Sequence, residues 1–414
     1  MNDYLPFVDR LDNHLKAYQG SSRDQWQKDG VRFVNGLAAE ELRRLVGIEK
    51  RREFGAFFTN SDLALELFAN PQLQFGDNCT IYDPAVGAGN LLIAANVALH
   101  NKVQSLTLVG TDLHPEFIRA AKLRLAITSL LTEPTAKAIQ PVIDMEVGDG
   151  LADNSYYAHA THIITNPPFN LIDGCENITW GSGKLSAAAV FIDRIIRFVK
   201  PGTPIIAILP DVLRSGSRYE KWRAMVEENC TISNLTMLGQ FDKFADVDVF
   251  SIVFTKRLNP NDGEIAYRWS PGSKHDRVVS DLFDVSVGNV VDNRDPHEGV
   301  LRPFLVSRGL PGWHMVKNIS KERQFKGQAI DGPFVVVKRT SRMGDQRRAI
   351  ATIINAHTPV YVDNHLIVLK PKSGKLADCE LLVKKLESNQ TDEWINEQIR
   401  CRHLTVKIVM RIPV

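Results

Sequence analysis

The sequence predicts an α/β fold: a Rossmann-like sheet domain, with a short helical segment before it and a smaller α+β domain after it. Three observations predict this. From about Cys79 to Lys256, short apolar runs alternate with amphipathic stretches, and strands alternating with helices build a mostly parallel sheet covered on both faces. A glycine-containing turn, Asp83-Pro84-Ala85-Val86-Gly87-Ala88-Gly89-Asn90, joins the first such run to the first such helix. After Leu258 the rhythm breaks at Asn259-Pro260-Asn261-Asp262-Gly263, and the rest of the chain mixes strand patterns with Gly/Pro turns. The expected division is therefore 1–50, 51–260 and 261–414.

In chain order, the amphipathic stretches Leu5 to Leu15 and Leu37 to Leu45 read as small helices. Cys79–Asp83, Leu106–Thr111, Ile163–Thr165 and Ile205–Leu209 read as buried strands. Helical patterns lie between or after them: Asn90–His100, Pro115–Leu130, Ala187–Val199 and Val212–Glu228. Leu235–Leu238 and Val249–Phe254 would finish the sheet. A chain of 414 residues exceeds one ordinary core, and 44% hydrophobic with 24% charged residues describes a soluble globular protein. No apolar run approaches the roughly 20 residues of a membrane span, and Met1-Asn2-Asp3-Tyr4 carries no signal-peptide pattern. The five cysteines, Cys79, Cys175, Cys230, Cys379 and Cys401, show no paired spacing. That argues against a metal site or a disulfide framework and suits a reducing, cytoplasmic location.

Net charge is only +2, but residues 301–350 hold 11 Lys/Arg against 3 Asp/Glu, while 281–300 hold 1 against 5. Such a concentrated stretch reads either as a polyanion footprint or as a solvated basic face. Within it, Lys338, Arg339 and Arg342, then Arg347 and Arg348, come after the apolar run Phe334–Val337.

The glycine turn lets the backbone approach a ligand without Cβ interference. It is not a full dinucleotide fingerprint, because Leu92 stands at the third glycine position. The next strand ends Gly110-Thr111-Asp112-Leu113, where Asp112 reads equally as an acceptor for a ribose diol or as a helix N-cap. A third ends Gly148-Asp149-Gly150-Leu151, where Asp149 could accept from an adenine amino group or merely shape a turn. Carboxylates on three consecutive strand ends gather where ligands of such sheets bind.

Ile163-Ile164-Thr165-Asn166-Pro167-Pro168-Phe169 is the most informative stretch. The prolines end the strand and stiffen the turn, so Asn166 can present its amide oxygen in a fixed direction. That oxygen, with the Pro167 carbonyl, can accept both hydrogens of an exocyclic amine and leave the nitrogen lone pair directed at a methyl donor. Phe169 offers a face for stacking a planar base. Residues 170–186, with Trp180 and Lys184, read as a loop that either closes on the substrate or stays passive.

Here the sequence resembles the gamma class of adenine-specific DNA methyltransferases, particularly the Taq-type restriction-modification methylases with a C-terminal target recognition domain. Gly55-Ala56-Phe57-Phe58-Thr59 matches that family's first element, followed by the glycine turn and Asn-Pro-Pro-aromatic. The resemblance implies S-adenosylmethionine as cofactor, with Thr59 at its methionine carboxylate and Phe57 close by. It implies Asp83, Ala85, Gly87 and Gly89 as the glycine loop, Asp112 and Leu113 at the ribose, and Asp149 and Gly150 at the adenine. Asn166, Pro167, Pro168 and Phe169 become the catalytic segment, and Phe244, or else Phe241, a second aromatic on the flipped base. It covers residues 50–256 strongly and 300–414 loosely, the end His403–Val414 included. Asn60 stands where the family commonly has proline, and Phe169 where it commonly has tyrosine. Double-stranded DNA is the implied substrate, Lys184, Lys338, Arg339, Arg342, Arg347 and Arg348 its expected contacts, and a cognate restriction endonuclease a partner. A protein glutamine methyltransferase or an RNA methyltransferase could share the catalytic segment, and a decayed DNA-binding homologue could share the fold. The large basic C-terminal region favours DNA, and the intact Thr59, Asp83, Asp112 and Asn166 favour an enzyme.

Overall fold

Short apolar strands bounded by turn residues are what a sheet covered on both faces requires, and the centre of the chain supplies them. The structure, a computed structural model, describes residues 2–20, 22–55, 58–59, 61–70, 73–132, 139–152, 155–174, 177–242, 245–260, 269, 277–341, 345, 347–400 and 402–414. It comprises two units, Met1–Leu213 with Arg218–Tyr267, and Arg214–Ser217 with Arg268–Val414. Residues 261–263 of the linker-like cluster lie outside the described residues.

The first unit begins with five helices: α1 (Leu5–Lys16), α2 (Arg23–Val34), α3 (Leu37–Leu45), α4 (Ile48–Phe54) and α5 (Ser61–Phe68). β1 (Asn78–Asp83), α6 (Asn90–Leu99), β2 (Ser105–Asp112), α7 (Pro115–Leu131), β3 (Val142–Val147), α8 (Ser155–His159) and β4 (His162–Thr165) follow. Next come a small hairpin, β5 (Leu171–Asp173) and β6 (Lys184–Ser186), then α9 (Ala187–Phe198), β7 (Pro204–Pro210), α10 (Asp211–Ser215), whose last two residues are counted with the second unit, and α11 (Glu220–Asn229). A long hairpin, β8 (Cys230–Asp242) and β9 (Ala245–Lys256), closes the sheet. The strand order is β3-β2-β1-β4-β7-β9-β8, parallel except for β9. The chain winds outward from β1 to β3 and then crosses to β4 on the other side of β1. That reversal opens a crevice at the carboxyl ends of β1 and β4.

Two expectations need correction. The helix expected over Val212–Glu228 is broken into α10 and α11, because Ser215-Gly216-Ser217 disfavours continued helix. Residues 170–186 contain the β5–β6 pairing, with Leu171 opposite Ser186. The N-terminal helices pack as part of this unit: Tyr4, Phe7, Leu11, Trp26 and Phe33 share a core with Ala88 of the glycine turn and with Phe117 and Ile127 of α7.

The second unit contains α12 (Val279–Leu282), β10 (Phe283–Val287), β11 (Val300–Leu305), β12 (Met315–Val316), β13 (Glu322–Phe325), β14 (Phe334–Lys338), β15 (Ala351–Ile354), β16 (Tyr361–Val362) and β17 (Leu366–Pro371). Helices α13 (Leu376–Leu386), α14 (Asn389–Gln398) and α15 (Val406–Met410) end it. The five-stranded sheet runs β10-β17-β14-β15-β12. Alternation along β14 sends Val335 and Val337 to a core with α13, α14 and α15, and Phe334 and Val336 to a core with Leu305 and Leu310.

Arg348, expected to touch DNA, is instead completely buried. Its Nε donates to Ser341 Oγ at 3.0 Å, and its Nη1 donates to Asn396 Oδ1 at 2.7 Å and to the Ile399 carbonyl at 3.3 Å. A guanidinium so enclosed ties the turn before β15 to α14 and cannot reach a phosphate. Arg348→Ala should therefore cost about 3–5 kcal/mol, as removing one partner from a buried charged network does. Urea unfolding of the full chain measures this, and a loss below about 1 kcal/mol would refute the assignment.

Candidate active site

Three strand ends build the floor of the site. At the end of β1, Asp83 is buried and accepts from the Ala85 N–H at 3.0 Å. Burial pushes its carboxyl up to about 7, against hydrogen bonds from Ala85 and Thr165, and the nearby Asp112 charge pushes the same way as burial. At the end of β2, Asp112 Oδ2 accepts from Gly87 N–H at 3.0 Å and Oδ1 from His114 N–H at 2.9 Å. It thereby lashes the glycine turn to the neighbouring strand, and its pKa too is raised by burial. His114, not Asp112, is the N-cap of α7. After β3, Asp149 Oδ1 accepts from Leu151 N–H at 2.9 Å.

A cavity of about 240 Å³ opens above these ends. Of the sequence-predicted residues it is lined by Ala85, Gly87, Asp112, Leu113, Asp149, Gly150, Asn166 and Pro168. A smaller adjoining cavity, about 30 Å³, is lined by Phe58, Thr59, Asp83, Ala85, Asn90 and Asn166 among others. Asn166 thus borders both. Gly89 lines neither; it is the N-cap of α6. The sequence reading missed Glu53 and Phe54 from α4, together with Phe58, His114, Phe117 and Phe191. Phe117 and Phe191 occupy buried helix positions that look like ordinary core, and nothing in the sequence marks Glu53.

Asn166 leaves β4 ahead of Pro167-Pro168. Its Nδ2 donates to Thr59 Oγ1 at 2.9 Å, while its Oδ1 is buried with no hydrogen-bond partner among the described residues. An orphaned buried acceptor costs about 1–3 kcal/mol, a cost that a ligand donor would recover. Gly55, at φ 63°, packs so closely on Pro168 that a Cβ there would overlap its ring. Phe169 is half-buried and meets Phe241 edge to face, with ring centroids 5.5 Å apart at 72°. Phe57 and Phe244 lie outside the described residues.

The hairpin beside the site is anchored. Trp180 Nε1 donates to Asp193 Oδ1 at 3.3 Å, and Arg197 Nη2 to the Asn177 carbonyl at 2.7 Å; Lys184 is exposed at its end. In the second unit Lys338 is half-buried at the end of β14, and Arg339 Nη1 donates to the Asn364 carbonyl at 2.8 Å. Arg347 Nε donates to the Glu387 carbonyl at 2.7 Å, and Arg342 lies outside the described residues. Among the described residues, no group of three or more His, Cys, Asp or Glu is arranged to hold a metal ion. No helix among them is long and apolar enough to cross a membrane.

The donor set fits a nucleoside cofactor with a cationic end: carboxylates at three strand ends, apolar and aromatic walls, and a second small polar cavity at Asn166. Fold and site together define an α/β protein with a ligand cavity at the carboxyl ends of its sheet strands. The chain belongs to the N-6 DNA methylase family, whose family model matches residues 39–266. Comparison with curated proteins finds no match. Among solved structures, a Listeria monocytogenes protein described as a class I S-adenosylmethionine-dependent methyltransferase is similar at 16% identity and TM-score 0.40, over 64% of this chain and 90% of its own. The methyltransferase subunit of a type I restriction-modification system from Streptococcus thermophilus is similar at 14% identity and TM-score 0.39, over 54% and 49%. The type IIG restriction endonuclease BpuSI is similar at 14% identity and TM-score 0.47, over 90% and 60%. The match thus spans about half the length of the Streptococcus subunit. Family membership makes the chain a methyltransferase with S-adenosylmethionine as its cofactor.

The raised pKa of Asp83 sets a pH dependence for the cofactor-free protein. Its ordinary value is 3.8, so from about pH 4 to 7 the unfolded chain ionises while the folded one keeps its proton. Stability contributed by this group is present below that window and is lost as pH rises through it, by about 4 kcal/mol at most. Asp83→Asn should flatten the fall in urea-unfolding free energy between pH 5 and pH 8. An unchanged slope would show that Asp83 is ionised throughout.

Proposed function

We propose that the chain methylates the exocyclic amino group of adenine in double-stranded DNA after turning that base out of the helix. The observation that carries this reading is the buried, unpartnered Oδ1 of Asn166, on an amide whose nitrogen is already engaged by Thr59. An aimed acceptor is what an amine substrate needs. With the Pro167 carbonyl it takes both amine hydrogens and leaves the nitrogen lone pair toward the methyl donor. Phe169 stacks on the extruded ring, worth on the order of 1–3 kcal/mol, and Phe241 braces it; Phe244 is the further candidate for the opposite face. Extrusion is required because a paired adenine hides its amino group, and it costs a few kcal/mol.

S-adenosylmethionine supplies an electrophilic methyl group on a sulfonium. In this reading Asp112 accepts from ribose hydroxyls, Asp149 from the adenine amine, and Thr59 and Asp83 meet the amino-acid end. The protein's own contribution to rate is mainly positioning. Residues 261–414 would recognise the target, with Lys184, Lys338, Arg339 and Arg342 against phosphates or guanines. We place the enzyme in a restriction-modification or phage-defence setting, with a cognate nuclease as partner.

Labelled S-adenosylmethionine and unmethylated DNA test this reading: label should appear on adenine N6. Label on a glutamine side chain or on RNA instead would overturn it, as would no transfer at all. Asn166→Ala should lower kcat at least about a hundredfold, as loss of one aimed hydrogen-bond partner does, with cofactor affinity within about threefold; a matching loss of affinity would reassign Asn166 to cofactor binding. Arg339→Ala should reduce the salt slope of DNA binding by about one. An unchanged slope would remove Arg339 from the phosphate contacts.

A further inference from the structure

Arg124, on α7, is completely buried, and none of the acceptors it meets is a carboxylate. Its Nε donates to the Phe33 carbonyl and its Nη2 to the Val34 carbonyl, each at 2.8 Å, with the Asn35 carbonyl at 3.3 Å from the same Nη2. Its Nη1 donates to the Ala88 carbonyl, in the glycine turn, and to Asn90 Oδ1, both at 2.5 Å. Burial lowers the guanidinium to about 10, so it stays charged at neutral pH.

These contacts dictate the next ones. A guanidinium can only donate, so the atom of Asn90 facing it must be the oxygen. Asn90 Nδ2 is then turned the other way, where it donates to the Thr59 carbonyl. Thr59 in turn accepts at Oγ1 from Asn166 Nδ2 at 2.9 Å. The line Arg124–Asn90–Thr59–Asn166 thus runs from a buried cation to the amide given the catalytic role above, through side chains that are themselves buried or nearly so.

We propose that Arg124 and Asn90 are positioning residues for methyl transfer: they fix the Thr59 backbone and thereby aim the Asn166 carbonyl oxygen. The inference rests on the role proposed for Asn166, although the line of hydrogen bonds can be tested without it. The same guanidinium holds the end of α2 and the glycine turn, so the helical N-terminal segment and the catalytic amide share one anchor.

Asn90→Asp separates positioning from folding. A carboxylate at 90 still accepts from Arg124 and gains an ionic partner, but it presents oxygen to the Thr59 carbonyl and breaks the line there. In protein carrying ¹⁵N-asparagine, the Asn166 side-chain amide resonance should shift and lose hydrogen-exchange protection. The melting temperature should stay at or above that of the wild type, S-adenosylmethionine affinity should stay within about threefold, and kcat should fall at least tenfold. Thr59→Ser, which keeps the hydroxyl that accepts from Asn166, should keep the wild-type Asn166 amide signal, whereas Thr59→Val should lose it. In Thr59→Val combined with Asn90→Asp the Asn166 amide should shift no further than in the worse single variant. An unmoved Asn166 amide in Asn90→Asp would overturn the proposal, as would a fall in rate matched by an equal fall in stability and cofactor affinity. If wild-type protein transfers no methyl to DNA, the substrate assignment fails, and the amide signal still decides for or against this line.

Discussion

The site depends on backbone meeting backbone at the carboxyl ends of the sheet. A Cβ at Gly150 would fall on the Pro84 carbonyl oxygen, and one at Gly55 on the ring of Pro168. The loop after β3 is thereby pressed onto the loop after β1, and the end of α4 onto the Pro167-Pro168 turn. Because Pro167 and Pro168 have fixed φ angles, the segment beneath Gly55 has little room to yield. The cavity is the space these contacts leave, so its walls are set by main chain, and the side chains that line it begin from fixed positions.

Electrostatics act against this packing. Asp83 and Asp112 are both buried, and each shifts toward its neutral form mainly because of that burial. Their backbone N–H partners offset part of the desolvation. Two such carboxylates facing adjoining cavities favour a ligand that brings positive charge and hydroxyl or amine donors. Buried carboxylates held toward their neutral form in this way cluster at functional sites.

Much of this was legible in the sequence because it rests on local rules. Strand–turn–helix alternation gave β1, β2, β4 and β7 with their helices, and the carboxylate at each strand end comes from the chain alone. Asn166 was legible as a candidate because two prolines end its strand and stiffen the turn, although Thr59, which holds its amide nitrogen, lies 107 residues away in sequence. The hairpin β8–β9 was seen only in part: an edge strand such as β8 carries polar residues like Thr231, Ser233 and Thr236 along its length, which masks the apolar pattern. Arg348 was misread because charge content reports composition and not exposure; only its partners in α14 show that it faces inward. Glu53 and Phe54 were missed since their place in the cavity comes from the packing of α4, which no periodicity announces.

The N-terminal helices illustrate what local reading leaves out. A helix ends with carbonyls that have no intrahelical partner, and α2 ends at Val34 beside Asn35. Water or a cap ordinarily satisfies such carbonyls. Here those of Phe33, Val34 and Asn35 accept from one arginine about 90 residues further along, and a cation at a helix C-terminus also complements the helix dipole. Arg124 thus keeps its charge without a carboxylate partner, because the helix end supplies the negative potential it needs. That arrangement explains how a buried guanidinium can lie near two buried carboxylates, Asp83 and Asp112, without pairing to either. It remains available to hold Ala88 and Asn90, at the helix end of the glycine turn.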